Sequence, residues 1–201
     1  MKDINKIVEF LGDQKDHLML VVSIFILVVM VKNPYINCKK IITKHMECLK
    51  NDKGKFDKIS ILIFFVLPLI MSCILAHQCN IDQDIIDVLT VIISILTSMF
   101  FTVLTLILDM RKGVIRDKEY DASSANAIAK ILKETYYTIM FEIFISILIL
   151  IMCLVYSFGK IYGAINSGII YYLSLLLIFN LFIVLKRIFL VIDEEMEKDE
   201  K

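Results

Sequence analysis

Between Asp87 and Asp109 the chain runs for 21 residues without a charge, reading VLTVIISILTSMFFTVLTLIL. An α-helix rises ~1.5 Å per residue, so ~20 such residues cross the hydrocarbon of a bilayer. The segment reads as a transmembrane helix, and the rest of the chain must pack around it in lipid. Set out at ~100° per residue, Asp87, Thr90, Ser94, Thr97, Ser98, Thr102, Thr105 and Asp109 fall within an arc of about 140°. Ile92, Ile95, Met99, Val103 and Ile107 cover the remaining sides. Hydrocarbon offers a hydroxyl no partner, so this face is expected to meet other helices or water, its small side chains allowing close backbone approach. Two readings follow: a packing seam between helices, or the wall of a polar path.

The composition agrees with a membrane setting. Of 201 residues 58% are hydrophobic, and the 22 basic and 22 acidic side chains sit almost wholly outside the long apolar runs. Mean hydropathy is +0.76. The expected fold is all-α, one polytopic transmembrane helix bundle over residues 1–201. Its apolar segments lie at about 18–31, 59–76, 88–108, 136–158 and 169–185. The longest polar connections, 32–58 and 110–134, are too short to hold a globular domain with its own core. Residues 1–16 mix acids and bases with no cleavage site after the first apolar run, unlike a secretory signal peptide. Five cysteines form no disulfide framework. Lysine outnumbers arginine 19 to 3 amid abundant Ile and Asn, as in a bacterial genome rich in A and T.

Residues 2–16 place Ile4, Ile7, Val8 and Leu11 on one side of a short helix that suits a membrane interface. The run 18–31 has only 14 residues; it crosses if Lys15 and Lys32 snorkel to the headgroups, and otherwise re-enters or lies flat. Asn33-Pro34 then breaks the helix. The stretch 32–58 holds eight lysines against Glu47, Asp52 and Asp57, so the positive-inside rule sets it in the cytoplasm. Lys39, Lys40, Lys44 and Lys50 are candidate contacts for anionic lipid, and nucleic acid is not an expected partner because no aromatics interleave the lysines. Pro68 stands at the centre of the span 59–76, where a bend or hinge is expected. Residues 77–83 carry no Lys or Arg and read as an outer turn; His77 and Cys79 lack zinc-site spacing, so neither a metal nor a cofactor is expected.

Arg111, Lys112, Arg116 and Lys118 return the chain to the cytoplasm. A helix over 125–137 is expected there, with Lys130, Lys133 and Glu134 left to solvent. The span 136–158 has its own stripe, in which Thr135, Thr138, Glu142, Ser146, Cys153 and Ser157 share one arc. Glu142 is an intramembrane acid, and a carboxylate there costs several kcal/mol unless protonated, paired or wetted. It is read either as a proton, ion or gating group or as a structurally paired side chain. Asn180 in the span 169–185 reads as a tie between helices. The acidic end, 193–201, reads as a mobile tail. With five spans the N-terminus lies outside; with four, both ends lie inside.

No nucleophile elbow, phosphate loop, HExxH or CxxC motif occurs, so an enzyme is not expected. Residues 92–112 (IISILTSMFFTVLTLILDMRK), followed by a cytoplasmic helix and residues 135–142 (TYYTIMFE), carry a resemblance in hydropathy and texture over about 85–157. The chain there resembles small four- or five-span bacterial membrane proteins of anti-phage defence systems. The resemblance implies an oligomeric membrane component that works with a cytoplasmic protein partner, sensing envelope disturbance or permeabilising the membrane, and it transfers no site residues. The expected function is thus a non-enzymatic, homo-oligomeric, channel-like effector or sensor in the bacterial inner membrane, with a cytoplasmic C-terminus. The alternatives are a scaffold subunit that recruits a cytoplasmic partner and a small proton-coupled transporter.

Overall fold

The computed structural model describes residues 38–50, 54–56, 58–116, 122–159 and 163–199, together with residues 21, 25, 28, 29 and 32. The expected interfacial helix 2–16, the Asn33-Pro34 break and most of the 18–31 run lie outside the described residues. Those of the run that are described (21, 25, 28 and 29) are helical and exposed. The described chain is all-α. It forms α1 (Cys38–Glu47), α2 (Lys58–Gln78), α3 (Gln83–Arg116), α4 (Ala122–Gly159) and α5 (Ala164–Asp199). Of these, α2 to α5 are long and apolar enough to cross a membrane, with mean hydropathies between 2.5 and 2.8 over their most apolar windows. The chain is a multi-pass membrane protein.

The three long helices have 34, 38 and 36 residues, or about 51 to 57 Å at the α-helical rise. A whole bilayer with its headgroups is only about 40–45 Å thick, so these helices project beyond it. What the sequence presents as a span plus a separate cytoplasmic helix, 125–137 and 136–158, is one unbroken α4. The acidic end read as a mobile tail is likewise helical through Asp199.

The bundle is built outward from α4. Two thirds of its most apolar window is buried, 67%, against 11 to 33% for the other spans. It packs against α3 on one side and α5 on the other, α2 closes on α5, and α1 lies against α4 near the lysine-rich end. Buried positions along α4 alternate in steps of four and three: Ile128, Leu132, Thr135, Ile139, Glu142, Ser146, Ile149, Cys153 and Tyr156. Its neighbours answer at steps of seven, with Ile86, Ile93, Phe100 and Ile107 on α3, and Ile170, Leu177, Val184 and Val191 on α5. A seven-residue repeat in antiparallel helices is the pattern of left-handed, knobs-into-holes packing. In lipid the energy of that packing is close contact rather than escape from water.

Local chemistry sets the ends. Asp82 accepts a hydrogen bond from the Ile85 amide through its side chain (2.9 Å), capping the start of α3. Ser167 on α5 accepts the Ile81 amide at 3.0 Å and ties that turn to the bundle. Gly54 has φ +71°, a left-handed conformation that glycine adopts without penalty, between the bridged residues Lys50 and Phe56. In α2 the bend expected at Pro68 is a π-helical turn over Leu62–Val66. Proline has no amide hydrogen and its ring crowds the carbonyl four residues back, here Phe64, and widening the preceding turn relieves that clash.

Where α2 meets α5, a Cβ built on Gly168 would stand 3.5 Å from the Ala76 Cβ, an ordinary contact. Gly168→Ala should therefore leave the thermal midpoint in detergent unchanged or slightly raised. Gly168→Leu should lower it by several degrees, since overpacking costs about 1–3 kcal/mol. Equal midpoints for Ala and Leu would contradict this close approach.

Candidate functional site

The two polar stripes have different fates. On α3, Asp87, Ser94, Ser98, Thr102, Thr105 and Asp109 are exposed, and Thr90 and Thr97 are half-buried at the edge of the α4 contact. The helix is three-sided: an apolar face against α4, a hydroxyl-rich face outside the bundle that also carries the exposed Val91 and Phe101, and an apolar face carrying Val88, Ile92, Ile95 and Met99, also exposed. The hydroxyls donate back to their own helix. Thr90 donates to the Ile86 carbonyl (2.8 Å), Ser94 to Thr90 (2.7 Å), Thr97 to Ile93 (2.6 Å), Ser98 to Ser94 (3.1 Å) and Thr102 to Ser98 (3.2 Å), while Thr105 reaches the Thr102 carbonyl at 2.7 Å. This satisfies each donor and leaves oxygen lone pairs pointing outward. Asp87 accepts from Gln83 at 2.9 Å, and Asp109 pairs with Lys112 at 3.1 Å, an exposed ion pair that contributes little.

The α4 stripe is instead inside the chain. Glu142 and Ser146 have no exposed surface. Ser146 donates to the Ile143 carbonyl (2.9 Å), but neither oxygen of Glu142 meets a hydrogen-bond partner among the described residues. Asn180 on α5 approaches the carboxyl, and it too is fully buried with both side-chain polar atoms short of hydrogen-bond geometry. Towards the C-terminal end of α4 the stripe turns to α3, where Thr90 approaches Cys153, and Ser157 accepts from Gln83 at 3.0 Å. The hydroxyl face of α3 and Glu142 therefore do not converge within one chain.

Towards the basic end the Glu142 seam continues into a fixed arginine. Arg187 donates to the Thr138 hydroxyl (2.8 Å) and to the Cys48 carbonyl (3.2 Å), and lies 3.5 Å from the Glu134 carboxylate. Glu134, read from sequence as facing solvent, is thus an interhelical partner. Beside it His45 of α1 is fully buried and stacks on Phe141, the rings 4.1 Å apart and 4° from parallel. Burial, with the Arg187 cation close by, pushes the His45 pKa down to about 4. The sequence alone does not mark His45, because nothing in a linear pattern tells which side of a ten-residue helix will dock on α4.

Of the lysines proposed for lipid contact, Lys39 and Lys40 are exposed, and Lys44 is paired with Glu47 at 2.6 Å. Lys50 lies over the Phe56 ring, 5.1 Å from its centroid. All five cysteines are free. Compared with known proteins, the chain matches no family model, no curated protein and no solved structure.

Two outcomes follow. Glu142→Gln keeps the shape and removes the acid, so the thermal midpoint in detergent should hold or rise; a fall beyond about 5 °C would show that the carboxyl itself is held by partners. For His45 the folded value lies below the ordinary 6.5, so protonation favours the undocked state. Docking of α1 should be complete above about pH 6.5 and be lost as pH falls towards 4, a swing on the order of 3 kcal/mol. The chain has no tryptophan, so Phe141→Trp provides a single reporter. Its emission should shift to the red through that window and stay constant when His45→Leu is added; a flat response with His45 present would contradict the buried neutral ring.

Proposed function

We propose that the protein is a non-enzymatic, channel-like membrane component whose copies assemble through α3, their hydroxyl faces turned to a shared polar axis. The observation that carries this is the exposure of Asp87, Ser94, Ser98, Thr102, Thr105 and Asp109 along one side of α3, on the outside of the bundle. Lipid gives those oxygens no partner, whereas the same face of another copy, or water enclosed between copies, does. Ring assemblies of identical chains bring identical faces to one axis, and several helices are needed to enclose a path.

The setting proposed is the bacterial inner membrane. The lysine-rich ends of α2, α4 and α5 are in the cytoplasm by the positive-inside rule, and residues 18–31 form a fifth span. The projecting parts of α4 and α5 then offer a cytoplasmic partner a helical surface. The resemblance to small membrane proteins of anti-phage defence systems supports an effector or sensor role. A second reading is favoured by Glu142 and Asn180, which face each other inside the chain rather than at an axis: a proton-responsive or proton-coupled element within each subunit.

Reconstitution in vesicles separates these. Wild-type protein should pass small ions under voltage or osmotic load. Ser98→Leu with Thr102→Leu should cut the flux at least about tenfold while the oligomer survives mild detergent. Equal flux in that variant, or no flux from wild type under either load, would overturn the path; flux lost only in Glu142→Gln would favour the proton-coupled reading.

A further inference from the structure

At the lysine-rich end, α2, α4 and α5 part to leave a cleft of about 550 Å³, reached by the residues that follow α1. Its polar wall holds Lys50, Lys186 and Arg187 against a single carboxylate, Glu134. Its apolar wall includes Phe64, Phe182 and Ile183. We infer that this cleft binds an anionic phospholipid, with the phosphate at Lys50, Lys186 and Arg187 and an acyl chain along Phe64, Phe182 and Ile183.

Three observations carry the assignment. The first is pre-organisation: the Arg187 side chain is only 13% exposed and is held by the Thr138 hydroxyl, the Cys48 carbonyl and Glu134. A guanidinium has five N–H donors, so donors remain after those contacts, and little further ordering is required to meet a phosphate. The second is charge. Glu134 offsets one of the three cations, which leaves a net positive cleft with two lysine side chains exposed at its rim. The third is depth. Lys186 and Arg187 directly follow the apolar run 169–185, a position that suits headgroup level, while Phe182 lies one turn deeper in that run and is 62% exposed. A free phosphate would use only the polar wall. A phospholipid uses both walls in the order in which they occur, and basic pockets between spans are the usual form of such sites.

The site does not depend on the assembly through α3. It also differs from diffuse attraction to the exposed Lys39 and Lys40, and this difference gives the test. The full chain is exchanged into mixtures of phosphatidylglycerol and phosphatidylcholine, and retained lipid is counted by native mass spectrometry. Wild type should hold phosphatidylglycerol in preference. Lys50→Gln with Lys186→Gln should lower that retention at least about tenfold, each basic group near an anionic surface contributing about fivefold. Lys39→Gln with Lys40→Gln should leave it unchanged, and both pairs are exposed, so the fold is not at risk. Three results would overturn the proposal: undiminished retention in the first variant, an equal loss in the second, or full displacement of the lipid by millimolar inorganic phosphate.

Discussion

Every polar group carried into hydrocarbon needs a partner supplied by protein or enclosed water, and this requirement organises the molecule. The backbone meets it by being helical throughout the spans. The side chains meet it in two ways, and one buried pair falls short. The hydroxyls of α3 donate to carbonyls of their own helix, which lets them stand outside the bundle. Arg187 of α5 reaches α4 at Thr138 and Glu134 and the turn after α1 at Cys48. Glu142 and Asn180 are turned towards each other in the α4–α5 seam, with neither meeting full hydrogen-bond geometry.

That seam also explains why α4 is central. Its buried positions follow a seven-residue repeat, and polar groups occupy several of them: Thr135, Glu142, Ser146 and Cys153. A polar residue at such a position costs stability but fixes register, because a slip by one turn would strand it against an apolar neighbour. Thr138 opposite Arg187 and Glu142 opposite Asn180 lie in one antiparallel register, so the two contacts reinforce each other. His45 on Phe141 then closes the same end from the side.

Much of this was legible in the sequence because lipid imposes simple rules. The apolar runs 59–76, 88–108, 136–158 and 169–185 each fall within a long apolar helix, while the run 18–31 lies largely outside the described residues. The arc of hydroxyls on α3 emerged from angular spacing alone. Angular spacing does not reveal what a face packs against, which is why the stripes of α3 and α4 looked alike although one is outside and the other inside. The continuity of α4 from Ala122 was hidden because its polar first turns break the hydropathy pattern without breaking the helix. The partnership of Arg187 with Glu134 and Cys48 joins residues far apart in sequence, and no local pattern encodes such pairs.

The central claim is that the hydroxyl face of α3 meets protein or water rather than lipid. Spin labels placed singly at positions 92, 94, 95, 98, 99 and 102, in the full chain in bilayers, test it through collision with oxygen, which concentrates in lipid, and with a water-soluble nickel chelate. A polar axis predicts that 94, 98 and 102 are shielded from oxygen and reached by the chelate, while 92, 95 and 99 show the opposite. High oxygen collision at all six positions would mean that the hydroxyl face lies in lipid, and would contradict it.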